Sequence, residues 1–184
     1  FQAENLMPWR SALGNVIAGL EFKGVKKSEA IEKGRHWLRR VGLAGFEDSY
    51  PHHLSGGMRK RVSMAQTLIM DPDIILMDES FSALDIQTRQ LMENLLLDLW
   101  SGEKKAVLFI THDLDEAISM SDRVIVMSAG PASHPIGEFL IDLPRPRDVT
   151  EVRGDPRFVS LHRSIWNVLR EEVLKGYENQ MQRK

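Results

Sequence analysis

Two carboxylates, Asp78 and Glu79, follow the apolar run Ile74 to Met77, and His112 comes just after a second such run, Ala106 to Ile110. Adjacent side chains on a strand point to opposite faces, so at a strand tip neighbouring carboxylates can do different work. Asp78 suits a magnesium ion carried on a nucleotide, which is bound mainly by phosphates and waters with one or two carboxylates. Glu79 is then free to polarise an attacking water. His112 is placed to share that site and to donate a hydrogen bond to a phosphate oxygen as charge develops there. Each has a plainer reading: acidic residues that end a strand in solvent, and a histidine in a solvated loop.

A third feature is the stretch HHLSGGMRKRVSMA, residues 52 to 65. Ser55, Gly56 and Gly57 read as a turn opening a helix, where bare N–H groups and the positive end of the helix dipole favour an anion. Glycine lets the backbone approach a phosphate without a Cβ in the way. Arg59, Lys60 and Arg61 occupy the first helical turn, where the dipole disfavours cations, and a bound anion would resolve the conflict. The competing reading is a flexible turn and a solvated basic face. His52 and His53 read as turn residues. No Gly-Lys dipeptide occurs in the chain, so the phosphate cradle G-x-x-x-x-G-K-[ST] is absent from it.

The elements that must position these groups are legible from periodicity. Two helices are expected over Ser11 to Leu20 and Ser28 to Val41, with Ser28 capping the second, and a third from Gly57 to Met70, stopped by Asp71-Pro72-Asp73. The run DIILMDES reads as a strand buried on both faces of a parallel sheet. A helix over Ile86 to Trp100, the strand AVLFIT, a helix near Asp113 to Met120 capped by Asp113, and the strand RVIVMS continue the alternation that marks a parallel sheet with crossover helices. Ligands in such sheets sit beyond the carboxyl ends of the strands, where Asp78, Glu79 and His112 fall. SAGPASHP reads as a loop and IGEFLIDL as a further strand ending at PRPRD. Phe158, Leu161, Ile165, Val168 and Leu169 give one face to a closing helix, and GYENQMQRK, with no apolar face, reads as frayed.

Composition narrows the function classes. The 184 residues fit one domain of ordinary size, and 42% apolar with 27% charged residues is a globular balance. A net charge of −2 gives no global basic field for nucleic acid. With no cysteine, disulfides, thiolate metal sites and a cysteine nucleophile are excluded. No apolar run approaches the roughly 18 residues of a membrane-spanning helix, and the opening FQAENLMPWR does not read as a secretory signal.

Together these pieces resemble the ATP-binding subunit of an ABC transporter. LSGGMRKRV at 54 to 62 resembles the family's signature loop, IILMDES at 74 to 80 its Walker B strand, SALD at 82 to 85 its D-loop, and ITHD at 110 to 113 its switch histidine. FQ at 1 to 2, followed by LMPW at 6 to 9, resembles its Q-loop. The resemblance implies an α/β fold of the P-loop NTPase type, with a parallel sheet core and an α-helical subdomain, lacking its amino-terminal strands. It divides the chain into a helical subdomain at about 8 to 70, part of a RecA-like core at about 71 to 141, and a carboxyl-terminal tail and helix at about 142 to 184.

The same resemblance implies roles and partners. ATP and Mg2+ are the expected ligands. Gln2 would contact the magnesium or the attacking water, Asp78 support magnesium, Glu79 act as general base, and His112 hold the γ-phosphate. Asp85 would couple two subunits of a dimer, and Ser55, Gly56 and Gly57 would bind the γ-phosphate of ATP seated on the second copy. The other expected partners are transmembrane permease subunits, met near the Q-loop and Trp9, and indirectly an extracytoplasmic solute-binding protein, with no nucleic acid. The expected location is peripheral, on the cytoplasmic face of the inner membrane.

Departures qualify the match. Met58 stands where the family commonly has Gln, Ser80 where it commonly has Pro, and the Walker A loop with its lysine has no counterpart. The chain is therefore expected to be the carboxyl-terminal part of a subunit and to hydrolyse little ATP alone. LSGGMRKR with LMPW and IDLPRPRD resembles importers of nitrate, sulfonate and taurine, with bicarbonate and pyrimidine-precursor importers as near relatives. A soluble ABC ATPase of DNA repair or chromosome maintenance is the alternative. It would place a coiled coil or zinc insertion between Gln2 and Leu54, and no heptads or cysteines occur there. A non-catalytic permease-binding fragment is the remaining reading.

Overall fold

Ser11 turns the chain into its first helix, α1 (Ala12–Phe22), by accepting a hydrogen bond from Gly14 N–H at 3.2 Å. The computed structural model describes residues 6–82, 84–102, 105–130 and 132–181. They divide into two compact units, Phe1–Ile110 and Thr111–Lys184, and each is a separate body of packing.

In the first unit α1 packs against α2 (Lys27–Arg40) and α3 (Gly56–Leu68). The α1–α2 contact is close because Gly34 faces Leu13 and Ile17: a Cβ there would lie 2.4 Å from Ile17 Cγ2. Ser28 is not the cap of α2. The helix starts at Lys27 with Lys26 in the cap position and no side-chain cap bond. Ala30, Gly34 and Leu38 are the buried positions, so packing against α1 sets where this helix begins. Arg61 reaches from α3 to the carbonyls of Val41 and Gly42, at 3.0 and 3.2 Å, and so closes the far end of α2.

After α3 the chain forms β1 (Ile74–Asp78), α4 (Ile86–Gly102) and β2 (Ala106–Ile110), with β1 and β2 parallel and in register from Ile74 opposite Ala106 to Asp78 opposite Ile110. The crossover is the one read from the alternation. The burial is not: Ile75 and Met77 are buried while Ile74 and Leu76 are more than half exposed, as are Leu108 and Ile110. One face of this two-stranded sheet carries the core, and the other is bare among the described residues.

The second unit contains α5 (Leu114–Met120), β3 (Arg123–Met127), β4 (Pro135–Leu140) and α6 (Pro156–Met181). The sequence leaves the direction of the fourth strand open. β3 pairs antiparallel with β4, because the short SAGPASHP loop returns the chain beside itself where a crossover helix would be needed for a parallel partner. Phe158 and Ile165 of α6 join Ile118, Val126, Ile141 and Leu143 in one core, with Leu161, Val168 and Leu169 packed against it, as the helical spacing requires. The helix continues to Met181, so much of the tail expected to fray is helical.

Candidate functional site

Period-2 alternation places Asp78 on the same side of β1 as Ile74 and Leu76, at the carboxyl end of the bare face. Glu79 begins the turn beyond it. Its N–H donates to Ile110 O at 2.9 Å, which extends the ladder by one bond and seats Glu79 beside the end of β2. The backbone of Glu79 is left-handed, with φ at 45°, a region that costs a non-glycine residue roughly 1 kcal/mol or more. Ser82 holds this strained turn in place, donating to Glu79 O from both N–H and Oγ, at 3.3 and 2.9 Å. Phe81 plugs into the core below, fully buried, with its ring edge-on to Phe109 at 5.6 Å.

Asp85 caps α4, accepting from Thr88 N–H at 3.0 Å, and that hydrogen bond draws its carboxyl below the usual carboxylate range. Sequence reading assigned this residue an intersubunit role and missed the cap.

Ser55 is the N-cap of α3 and accepts from Met58 N–H at 3.2 Å. The two glycines after it have no internal reason to be glycine. Neither has positive φ, and a Cβ would meet only Arg59 Nη2 at 3.7 Å from Gly56 and Leu84 Cδ2 at 3.5 Å from Gly57, ordinary contacts. The cations behind them are less available than expected. Arg59 Nη1 donates to Leu54 O at 2.9 Å, and Arg61 is engaged with the end of α2, where burial lowers its pKa. The conflict with the helix dipole is thus met in part by carbonyl oxygens within the chain.

In the second unit, His112 is exposed and lies between two residues that fix the start of α5. Asp113 caps the helix, accepting from Asp115 and Glu116 N–H at 2.9 and 3.2 Å, as the sequence predicts. Thr111 Oγ1 donates to the buried Glu116 at 2.7 Å and accepts from Asp113 N–H at 3.0 Å. Gln2 lies outside the described residues.

Sequence reading also missed Asn15. Its side chain is fully buried, accepting from Met7 N–H at 2.7 Å and donating to the carbonyls of Met7, Arg10 and Ser11. It pins the loop that presents Trp9, which is 73% exposed and so does not pack beneath that loop. A buried asparagine on an otherwise apolar helix face is the signal that could have found it. Asn15→Ala strands several backbone groups and is expected to cost about 1–3 kcal/mol in urea unfolding, with faster proteolysis near Trp9. An unfolding midpoint unchanged from the native chain would remove Asn15 as the pin.

The family described as ABC transporter matches residues 1–82. An uncharacterized ABC transporter ATP-binding protein of Methanocaldococcus jannaschii is 52% identical over 96% of this chain and 64% of its own length. The taurine import ATP-binding protein TauB of Rhizobium johnstonii is 41% identical over 92% of this chain and 66% of its own length. The aliphatic sulfonates import ATP-binding protein SsuB of a Mycobacterium species is 46% identical over 94% of this chain and 69% of its own length. Among solved structures, the dimeric post-hydrolysis state of the ATP-binding cassette MJ0796 bound to ADP and Pi matches with a TM-score of 0.64 and 35% identity, over 68% of this chain and 55% of that one. The chain belongs to the ABC transporter ATP-binding family, and it spans 64% of the length of the first of these relatives.

Proposed function

We propose that the chain works as the carboxyl-terminal part of an ATP-hydrolysing subunit that powers import of a small anion of the taurine or sulfonate kind. The observation that carries this reading is the pair Gly56 and Gly57, which the fold itself does not require and which leave the N–H groups at the start of α3 open to close approach. In this reading Ser55, Gly56 and Gly57 bind the γ-phosphate of ATP held by a second copy, completing a site that neither copy has alone. Glu79 takes the proton of a water as its oxygen attacks the γ-phosphorus and the bond to ADP breaks. His112 donates to a γ-phosphate oxygen, and Gln2 and Asp85 carry the state of the site to the permease and the partner.

The donor set fits Mg2+. Asp78, a hard carboxylate donor at the carboxyl end of β1, suits an ion held chiefly by phosphates and water with a single carboxylate. When bound, Mg2+ would neutralise phosphate charge. In this reading the Walker A segment is supplied by residues outside this sequence, and the chain by itself is expected to hydrolyse little ATP. The relatives' names specify import; in this reading the subunit lies at the cytoplasmic face of the membrane, with permease subunits meeting the loop around Trp9 and a solute-binding protein acting from the other side.

The test separates function from folding. Gly57→Ala in the full-length subunit should raise stability by about 0.4–1 kcal/mol, since alanine suits a helix better than glycine, while ATP turnover falls about tenfold or more because a Cβ enters the phosphate's space. Unchanged turnover in a stabilised variant would remove the signature turn from the site.

A further inference from the structure

The segment IDLPRPRD, residues 141 to 148, comes after β4 and plays no part in the chemistry above, yet it carries a deeply buried cation. Arg147 exposes 1% of its side chain. Its Nη1 donates to the carbonyls of Ser119 and Ser121 at 3.4 and 2.6 Å, and its Nη2 to those of Ile141 and Leu143 at 3.2 and 2.9 Å. Arg145 Nη2 donates to Met120 O at 3.1 Å, and the same guanidinium pairs with Asp122 at 2.8 Å. The two arginines therefore hold the carbonyls of three successive residues, Ser119, Met120 and Ser121, at the end of α5.

Those carbonyls are the groups a helix cannot satisfy by itself, at the end where its dipole favours cations. With seven residues α5 is also too short to stand alone. Its middle is fixed by Ile118 in the core, and its start by the Asp113 cap and the Thr111–Glu116 bond. His112 sits inside that amino-terminal knot, between Thr111 and Asp113. A helix of two turns moves as one piece, so what fixes one end sets the other.

We propose that Arg147, with Arg145, is a positioning pair for His112, fixing the carboxyl end of α5 so that its amino end holds the imidazole where a phosphate oxygen will be. Burial lowers the Arg147 pKa to about 10, with Arg145 adding to the effect and Asp122 opposing it, so the group is still a cation at neutral pH. Lysine keeps the charge but lacks the planar fork that spans four carbonyls. The inference rests on the role proposed for His112.

The experiment is a double-mutant cycle in the full-length subunit, with Arg147→Lys, Arg145→Lys and His112→Ala singly and in combination, read as kcat, KM for ATP and Tm. Arg145→Lys, at a more exposed position, serves if Arg147→Lys fails to fold. Expected is a fall in kcat of about tenfold with KM within twofold, and a further fall of less than twofold when His112 is already alanine. Equal losses in both backgrounds, or a loss that appears in KM, overturn the proposal, because the arginines then act on the fold at large or on binding. Wild-type turnover in His112→Ala itself strikes the role given to His112 and takes this inference with it, a result distinguishable from additivity.

Discussion

Glu79→Gln in the full-length subunit is expected to lower ATP turnover by about 10² to 10⁴, the usual range for a lost general base, with nucleotide binding retained. The amide keeps the size and most hydrogen-bonding capacity of the side chain but cannot take a proton from water. Binding should be retained because the features that seat Glu79 belong to its backbone: the left-handed φ, the N–H bond to Ile110 O, and the carbonyl held by Ser82. None of these senses the exchange of carboxylate for amide. The measurement is single-turnover hydrolysis beside equilibrium binding of labelled ATP. A rate that survives the change moves the base elsewhere, and a loss of binding makes Glu79 a ligand for the nucleotide instead.

Phe81→Ala is expected to destabilise the protein by about 3–5 kcal/mol, a value typical of emptying a buried aromatic site. Phe81 has no exposed surface, and its ring meets Phe109 of β2 edge-on, so truncation loses both the burial and the aromatic pair. It also frees the turn that holds Glu79, so turnover should fall more than the unfolded fraction accounts for. Urea unfolding followed by tryptophan fluorescence, with turnover measured where the variant is fully folded, separates the two effects. A cost under about 1 kcal/mol would show that the turn is held by its hydrogen bonds alone.

Parts of the fold are legible from sequence where the signals are local. Ser11, Ser55 and Asp113 are caps whose short polar side chains reach an N–H two or three residues on, and such bonds need no distant partner. Ser28 looks equivalent, but the start of α2 is decided by Gly34 packing under Ile17, a contact across the chain that no local pattern encodes. The sheet is legible in part. The run Ile74 to Met77 is apolar at every position and does not say which of its residues meet the core within the described residues, Ile75 and Met77. Nor can alternation reveal that β3 turns back on β4, since a loop and a crossover differ only in where the chain returns.

By itself the sequence determined which chemistry the chain can take part in: the carboxylates, the histidine and the small turn before α3 are fixed by residue type and order. Tertiary structure alone decided how those residues are held. It placed Glu79 in a strained turn over Phe81, gave Asp85 to the start of α4, bound Arg59 and Arg61 to carbonyls, and buried Arg147 against the end of α5. The physical reason is that residue type sets what a side chain can donate or accept. Which partner it finds depends on contacts between residues far apart in the chain.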